Sequence, residues 1–401
     1  MGILRLQKIA FSRSRAFIGA VLQGSEGWRA VVGGRREECF SEGREGVVRS
    51  HVTRDGNQYF LVCRDSWHRK PLREGELRAV LCNAFEGVKA LTVGEAPEPR
   101  PRADEVLFDV HAASVSYMDY LMCCGGYQMR PTLPYVPGTD AAGIVVAVGD
   151  EVDRFQPGDR VACGGWHGAF AERMTAKASK TALLPPSVTF IAGSTLLHMY
   201  LTAYYALIIR AQARPGETIL ITGAAGGVGL ACVELARLLD MRVIAAVGSP
   251  AKAAVVRDHG ADAVIDYSSE DVRERVKALT GGEGVDVCVD NVGGKLFATL
   301  ARLIRWNGRL LPVGFTSGEV PSIPMNLPLL KNYSIVGIFT GAWADSRPDE
   351  LERVTEAVMQ WAGEGRLKPH VDRVLPLERA AEAMSAIADR SVIGRTVLSV
   401  R

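Results

Sequence analysis

The chain carries almost no net charge: 47 lysines and arginines stand against 45 acids, a formal balance of +2. That balance points to no nucleic-acid or anionic-membrane partner. No uninterrupted apolar run is long enough to span a bilayer. None of the eight cysteines forms a C-x-x-C pair. Cys123 and Cys124 are adjacent; the others are scattered from Cys39 to Cys288. Such a set offers no closely spaced chelate and no disulfide framework, and scattered thiols suggest a reducing compartment. No internal repeat is visible. At 401 residues, 47% of them hydrophobic, the chain has room for two or three domains with proper cores.

Acid is missing from the first 25 residues, which hold Arg5, Lys8, Arg13 and Arg15; Glu26 is the first carboxylate. Basic, serine-containing and acid-poor is the composition of a mitochondrial transit peptide. An ordinary extension ahead of the organised part fits equally. The expected location is therefore cytoplasmic, or the mitochondrial matrix if the segment is a transit peptide. Residues 26–76 are rich in Arg, Glu and Gly with little period; Gln58 to Val62 reads as a candidate strand.

What is present is clearest around residue 223. The run Thr218-Ile219-Leu220-Ile221-Thr222 follows the turn pair Pro215-Gly216 and reads as a buried strand. Gly223-Ala224-Ala225-Gly226-Gly227-Val228-Gly229 comes next. Leu230, Val233, Ala236 and Leu239 then take the spacing of a helix packed on a sheet. Strand, glycine turn and helix in that order make a nucleotide-phosphate site, because glycines admit a pyrophosphate and the helix start offers unpaired N–H groups. The pattern is A-x-G-x-x-G, with Ala224 at the first glycine position.

Another absence bears on the cofactor. An NAD site usually carries an acid about 20 residues past the glycines, bonded to the ribose 2′-hydroxyl. Here no acid lies between Asp240 and Asp258, and the second strand ends Val247-Gly248-Ser249-Pro250-Ala251-Lys252. A serine and a lysine suit a 2′-phosphate, so NADPH is expected over NADH.

Short strands with Gly/Pro turns fill residues 77–200, including Arg78 to Leu81, Glu105 to Val110 and Ala142 to Gly149. A helix is expected over Ser194 to Arg210. Strands at Arg242 to Val247, Ala263 to Asp266, Val285 to Asp290, Arg309 to Val313 and Ile335 to Phe339 then alternate with helices. The fold class is therefore α/β: a β-rich domain, then a doubly wound parallel sheet. Helices at Pro348 to Gly363 and Leu377 to Ala388 and a strand from Thr396 to Val400 form a tail expected to return to the first domain. The expected boundaries are an extension over 1–76, then 77–200, 201–341 and the returning 342–401.

Val136-Pro137-Gly138-Thr139-Asp140-Ala141-Ala142-Gly143, Pro157-Gly158-Asp159-Arg160-Val161, Ala224 to Gly229 and Leu330 to Gly337 together resemble the medium-chain dehydrogenase/reductase superfamily, most closely its zinc-free quinone oxidoreductase branch. The resemblance covers residues 77–401. It implies a GroES-like catalytic domain, a Rossmann domain, and NADPH-dependent reduction of quinones or α,β-unsaturated carbonyls in the cleft between them. It places Ala225, Gly226, Gly227 and Val228 at the pyrophosphate and Gly248, Ser249, Lys252 and Tyr267 around the 2′-phosphate. Thr202 matches a threonine at the nicotinamide end. Asn291, Gly314, Phe315, Phe339 and Thr340 lie at strand ends on the carboxyl edge of the sheet, where cofactors sit. Homodimers are common in the family, often through the edge strand near Ile335.

Zinc members hold their ion with Cys, His and Glu. The matching positions here are Ser116, Thr139 and Asp140, a poor donor set, so no metal is expected. His111, His167 and His198 are read as structural. Hydrogen-bond donors must then meet the developing oxyanion. The candidates are Tyr127, which matches a pocket tyrosine, Ser116, where the branch commonly has Asn, and the nicotinamide ribose hydroxyl. Asp119 keeps the branch's acidic position, to order the loop or take part in the chemistry. The rivals are a weakly catalytic NADPH-binding protein, like the crystallin-, vesicle- or RNA-associated relatives, and a zinc alcohol dehydrogenase.

Overall fold

The computed structural model describes residues 75–401 in full and, before them, the backbone of five strands. The chain forms two compact units, Met1–Glu74 and Gly75–Arg401. In the first, β1 (Val21–Gln23), β2 (Arg29–Val32), β3 (Glu38–Gly43), β4 (Gly46–Asp55) and β5 (Gln58–Cys63) pair in sequence order as an antiparallel meander. The expected Gln58 run is β5. The basic residues 1–20 lie outside the described residues, and with them the transit-peptide reading.

The second unit opens with the hairpin β6 (Glu76–Cys82) and β7 (Leu91–Pro97). Its antiparallel body follows: β8 (Glu105–Val115), β9 (Asp140–Val148), β10 (Arg160–Gly164), β11 (Arg173–Lys177) and β12 (Thr181–Leu183). A seven-residue helix, α1 (Tyr117–Cys123), leaves the end of β8. β8 is long enough to need two partners on its second edge. β11 covers its first half, and β20 (Arg395–Ser399), from the end of the chain, covers Ala112 to Val115. β19 (Val371–Pro376) lies parallel beside β20. The tail thus completes the first sheet.

α2 (Phe190–Tyr204) is capped by Thr189, whose hydroxyl accepts from the Ala192 N–H, and continues as a π-helical turn over Tyr205–Arg210. The stretch Phe190–Arg210 is, by length and composition, apolar enough to cross a bilayer. Leu196, Leu197, Tyr200 and Leu207 are buried in the core it shares with the second sheet.

That sheet contains β13 (Thr218–Thr222), β14 (Arg242–Val247), β15 (Ala263–Asp266), β16 (Val285–Asp290), β17 (Ile304–Pro312) and β18 (Ser334–Ile335). Every pair is parallel, in the order β15-β14-β13-β16-β17-β18. This is the doubly wound arrangement, with its switch point between β13 and β16, where a crevice opens at the carboxyl ends. α3 (Gly227–Leu238), α4 (Pro250–Asp258), α5 (Val272–Leu279) and α6 (Gly294–Leu303) are the crossovers. Ile219, Leu220 and Ile221 are fully buried, as a central parallel strand covered on both faces requires.

After α7 (Asn326–Lys331), β18 is shorter than the expected Ile335 to Phe339. Val336 makes a last bond to Leu310, the Gly337 carbonyl accepts from the Arg210 side chain, and Phe339 starts α8 (Thr340–Ser346). α9 (Pro348–Gly363) stands where expected. The helix expected from Leu377 begins with a 3-10 turn, and α10 runs Ala380–Ala388.

Candidate active site

The glycine turn closes β13 onto α3. Gly223 is left-handed at φ 57°, a conformation glycine adopts without strain. A Cβ on Gly229 would stand 2.3 Å from the Gly223 carbonyl oxygen, so the helix packs on the turn only without a side chain there. Ala224 lies fully buried beneath. The N-cap of α3 is Gly226, with no side chain to satisfy the first-turn N–H groups, which leaves them for a ligand.

A cavity of about 670 Å³ opens over this turn. Ala225, Gly226, Gly227, Val228, Gly248, Lys252 and Tyr267, the residues expected around the cofactor phosphates, line it. Thr202, Asn291, Gly314, Phe315, Phe339 and Thr340 also line it, as do Ser116 and Tyr127. All but two of the residues expected from sequence therefore meet at one cavity. Asp119 stands behind the wall, and Ser249 is the N-cap of α4, off the wall. Asn291 has its amide committed: Nδ2 donates to the Thr222 carbonyl at 2.9 Å.

At one end, Gly248 makes room for Tyr267, whose hydroxyl oxygen would stand 3.0 Å from a Cβ there. Lys252 Nζ donates to the Arg390 carbonyl at 2.7 Å. Burial and the charge of Arg390 lower the lysine pKa. Arg390 lies on the same wall and is exposed. Sequence reading missed it, since it stands after α10 with no local motif to mark it.

At the other end, Ser116 caps α1. Its Oγ donates to Asp119 Oδ2 at 2.6 Å and accepts from the Asp119 N–H at 3.2 Å, while its own N–H donates to Oδ2 at 2.7 Å. This is a reciprocal capping box. The Ser116 hydroxyl proton is therefore spent inside the protein, which weakens its candidacy as an oxyanion donor. Asp119 is an anchor for α1 and does not reach the cavity.

Asp140, at the start of β9, lies on the wall with both carboxyl oxygens unpartnered. Burial is the chief force raising its pKa, to about 8; Arg395 opposes and Asp119 adds to it. Arg395 is buried, donates from Nη1 to the Val115 carbonyl at 3.3 Å, and leaves Nε unpaired. Tyr127 packs its ring 6.4 Å from that of Trp166, and burial raises its pKa. The three histidines do not converge. His198 is on the cavity wall; His111 packs on Phe190, and His167 on Tyr135.

Known proteins share this fold. Residues 102–186 match the model of the alcohol dehydrogenase GroES-like domain, and 227–358 that of the zinc-binding dehydrogenase. A quinone oxidoreductase-like protein 2 homolog of Nematostella vectensis is 35% identical over 341 residues, 84% of this chain and 93% of that protein. The chain belongs to the quinone oxidoreductase branch of the medium-chain dehydrogenase/reductase superfamily. Rat quinone oxidoreductase is 32% identical over 80% of this chain and 97% of its own. The structure of Escherichia coli quinone oxidoreductase complexed with NADPH superposes with a TM-score of 0.75, at 28% identity, over 80% of this chain and all of that one. Membership makes the chain an oxidoreductase.

The family description mentions zinc, and the residues here do not fit that ion. Ser116 is a hydroxyl already bonded to Asp119, Thr139 is another hydroxyl, and Asp140 is a lone acid favouring its neutral form beside the Arg395 cation. Such donors compete poorly with thiolate and imidazole. Among the described residues no group of three His, Cys, Asp or Glu is arranged around a metal position.

Proposed function

We propose that this oxidoreductase uses NADPH to reduce quinones or α,β-unsaturated carbonyl compounds, without zinc. One observation carries the cofactor reading. The corner of the cavity past the second strand holds Lys252, Tyr267 and Arg390 and no carboxylate on its wall. A 2′-phosphate placed there meets two cations and a phenol, whereas a bare ribose would find no acid to bind its hydroxyls. The E. coli relative complexed with NADPH supports the same reading.

When bound, the cofactor supplies hydride to an electrophilic carbon. The chain does the rest. The N–H groups at the start of α3 and the turn from Gly223 to Gly226 hold the pyrophosphate. Thr202 and the strand ends at Asn291, Gly314 and Phe315 fix the reactive end. Tyr117, Met118, Tyr127, Trp166, Phe315 and Phe339 surround the remaining space with aromatic and apolar surface. That surface accepts a flat conjugated acceptor and thins the water around its carbonyl oxygen, where negative charge develops. Tyr127 is a donor within that space.

The functional molecule is proposed to be a homodimer. Met325 at the N-cap of α7, Leu329 and Leu330 on it, and Ile335 on the two-residue edge strand β18 are exposed apolar side chains. An open sheet edge flanked by such side chains suits a second copy.

The test is to follow NADPH absorbance with 1,4-quinones, enones, enoyl thioesters and simple alcohols, with and without a chelator. Turnover of quinones or enones, unchanged by the chelator, supports the proposal. Alcohol oxidation abolished by the chelator would refute it. Tight NADPH binding with no turnover would instead mark a cofactor-binding protein.

A further inference from the structure

His198 sits on α2 one turn before Thr202, so both side chains share a helix face, and both stand on the cavity wall. Its neighbours on the helix, Leu196, Leu197, Met199 and Tyr200, are buried and apolar or aromatic. No hydrogen bond to the imidazole occurs among the described residues. A half-buried imidazole on a largely apolar wall, without a protein partner, keeps its hydrogen-bonding capacity for water or a ligand in the cavity.

Of the other polar groups nearby, Thr202 carries a hydroxyl rather than an N–H, Ser116 is engaged, and Arg395 and Asp140 are almost fully buried. Ser116 gives its proton to Asp119. Arg395 is bonded to Val115 and packed against the first residue of α3, its Nε 2.7 Å from where a Gly227 Cβ would be. Asp140 is 1% exposed. On the α2 side, His198 is the group with an uncommitted N–H that reaches the cavity.

We propose that His198, as a neutral imidazole, donates its N–H hydrogen bond to the carbonyl oxygen of the acceptor during hydride addition. This rests on the reaction assigned under Proposed function. Burial, reinforced by the Arg395 charge, pushes the imidazole pKa down to about 3, so the ring is uncharged through the neutral range. A neutral imidazole polarises a carbonyl without surrendering its proton. The electrons balance simply. Hydride brings a pair that forms the new C–H bond, oxidising the dihydronicotinamide. The acceptor's π pair moves towards its carbonyl oxygen, reducing it. His198 keeps its N–H bond throughout, and water supplies the proton that later neutralises the enolate or quinol oxygen. His198 thus takes the place of the electrophile that the donor set at Ser116, Thr139 and Asp140 does not provide.

The test compares wild type with His198→Leu and His198→Gln. Leu removes the donor at similar size, and Gln restores an N–H. Leu should lower kcat about 100-fold, the loss typical of removing one oxyanion donor, with the NADPH Kd little changed. Gln should recover most of kcat. A second readout needs no turnover. In the dead-end complex with NADP+ and 4-phenyl-3-buten-2-one, the carbonyl stretch should be lowered in wild type and in the Gln variant, and unshifted in the Leu variant. Wild-type kcat in the Leu variant, or the same carbonyl frequency in all three proteins, overturns the assignment. A lowered frequency in wild type with no turnover would refute the proposed reaction and leave the hydrogen bond standing.

Discussion

Lys252 Nζ donates a 2.7 Å hydrogen bond to the carbonyl of Arg390, 138 positions later in the chain. The first cation starts the helix after the second Rossmann strand; the second follows the last helix of the chain. If both meet a 2′-phosphate, each contributes a charge-assisted contact that NADH cannot use. Lys252→Ala and Arg390→Ala should each weaken NADPH binding about tenfold and leave NADH binding nearly unchanged. Fluorescence titration with both cofactors checks this. Equal losses for both would place the phosphate elsewhere.

Gly229→Ala should damage the site through the backbone. Its Cβ would stand 2.3 Å from the Gly223 oxygen and 2.7 Å from the Ala224 Cα. Overpacking of this kind costs about 1–3 kcal/mol. Thermal unfolding should show that loss, and calorimetric titration a weaker dinucleotide affinity. A variant equal to wild type in both would contradict the close packing.

Asp119→Ala should act on α1 rather than on the reacting atoms. It removes the acceptor of two bonds from Ser116. A buried N–H left unpaired costs about 1–3 kcal/mol. The expected result is a lower Tm and a raised KM for the acceptor, with the NADPH Kd unchanged. A fall in kcat alone would make Asp119 part of the chemistry after all.

Asp140→Asn tests the buried acid through pH. Its pKa rises from an ordinary 3.8 to about 8 in the fold. The folded state therefore holds a proton that the unfolded state has lost between those values, and its stabilising effect fades as pH rises through about 8. Relative to wild type, the Asn variant should gain stability steadily from about pH 4 to 8. Denaturant unfolding across that range measures it, and a constant difference would argue against a raised pKa.

Leu329→Asp combined with Ile335→Asp should yield monomers by sedimentation, with the Tm of the monomer unit kept, because both side chains are already exposed. A wild type that is itself monomeric at micromolar concentration would remove the dimer proposal.

Much of this site is written locally. Thr218 to Gly229 states its strand, turn and helix in twelve consecutive residues, and each neighbour supports the same reading. Ser116 and Asp119 stand three apart as S-x-x-D, a helix-start signal that makes α1 readable in hindsight. The edge strand at Ile335 is shorter than its apolar run implies, because such a run is silent about where its partner strand stops. Arg390 and Arg395 carried no local mark, since their neighbours on the wall come from residues more than a hundred positions earlier.

The order of residues alone determined the two layers, the dinucleotide turn and the lack of a ribose-binding acid. These depend on period, glycine and charge within short windows. Folding decided which distant groups share the cavity: that Ser116 turns its proton inward, that His198 is left unpartnered on the wall, and that two arginines of the tail close the site. Those outcomes depend on β20 pairing with β8 and on burial, which no short stretch of sequence contains.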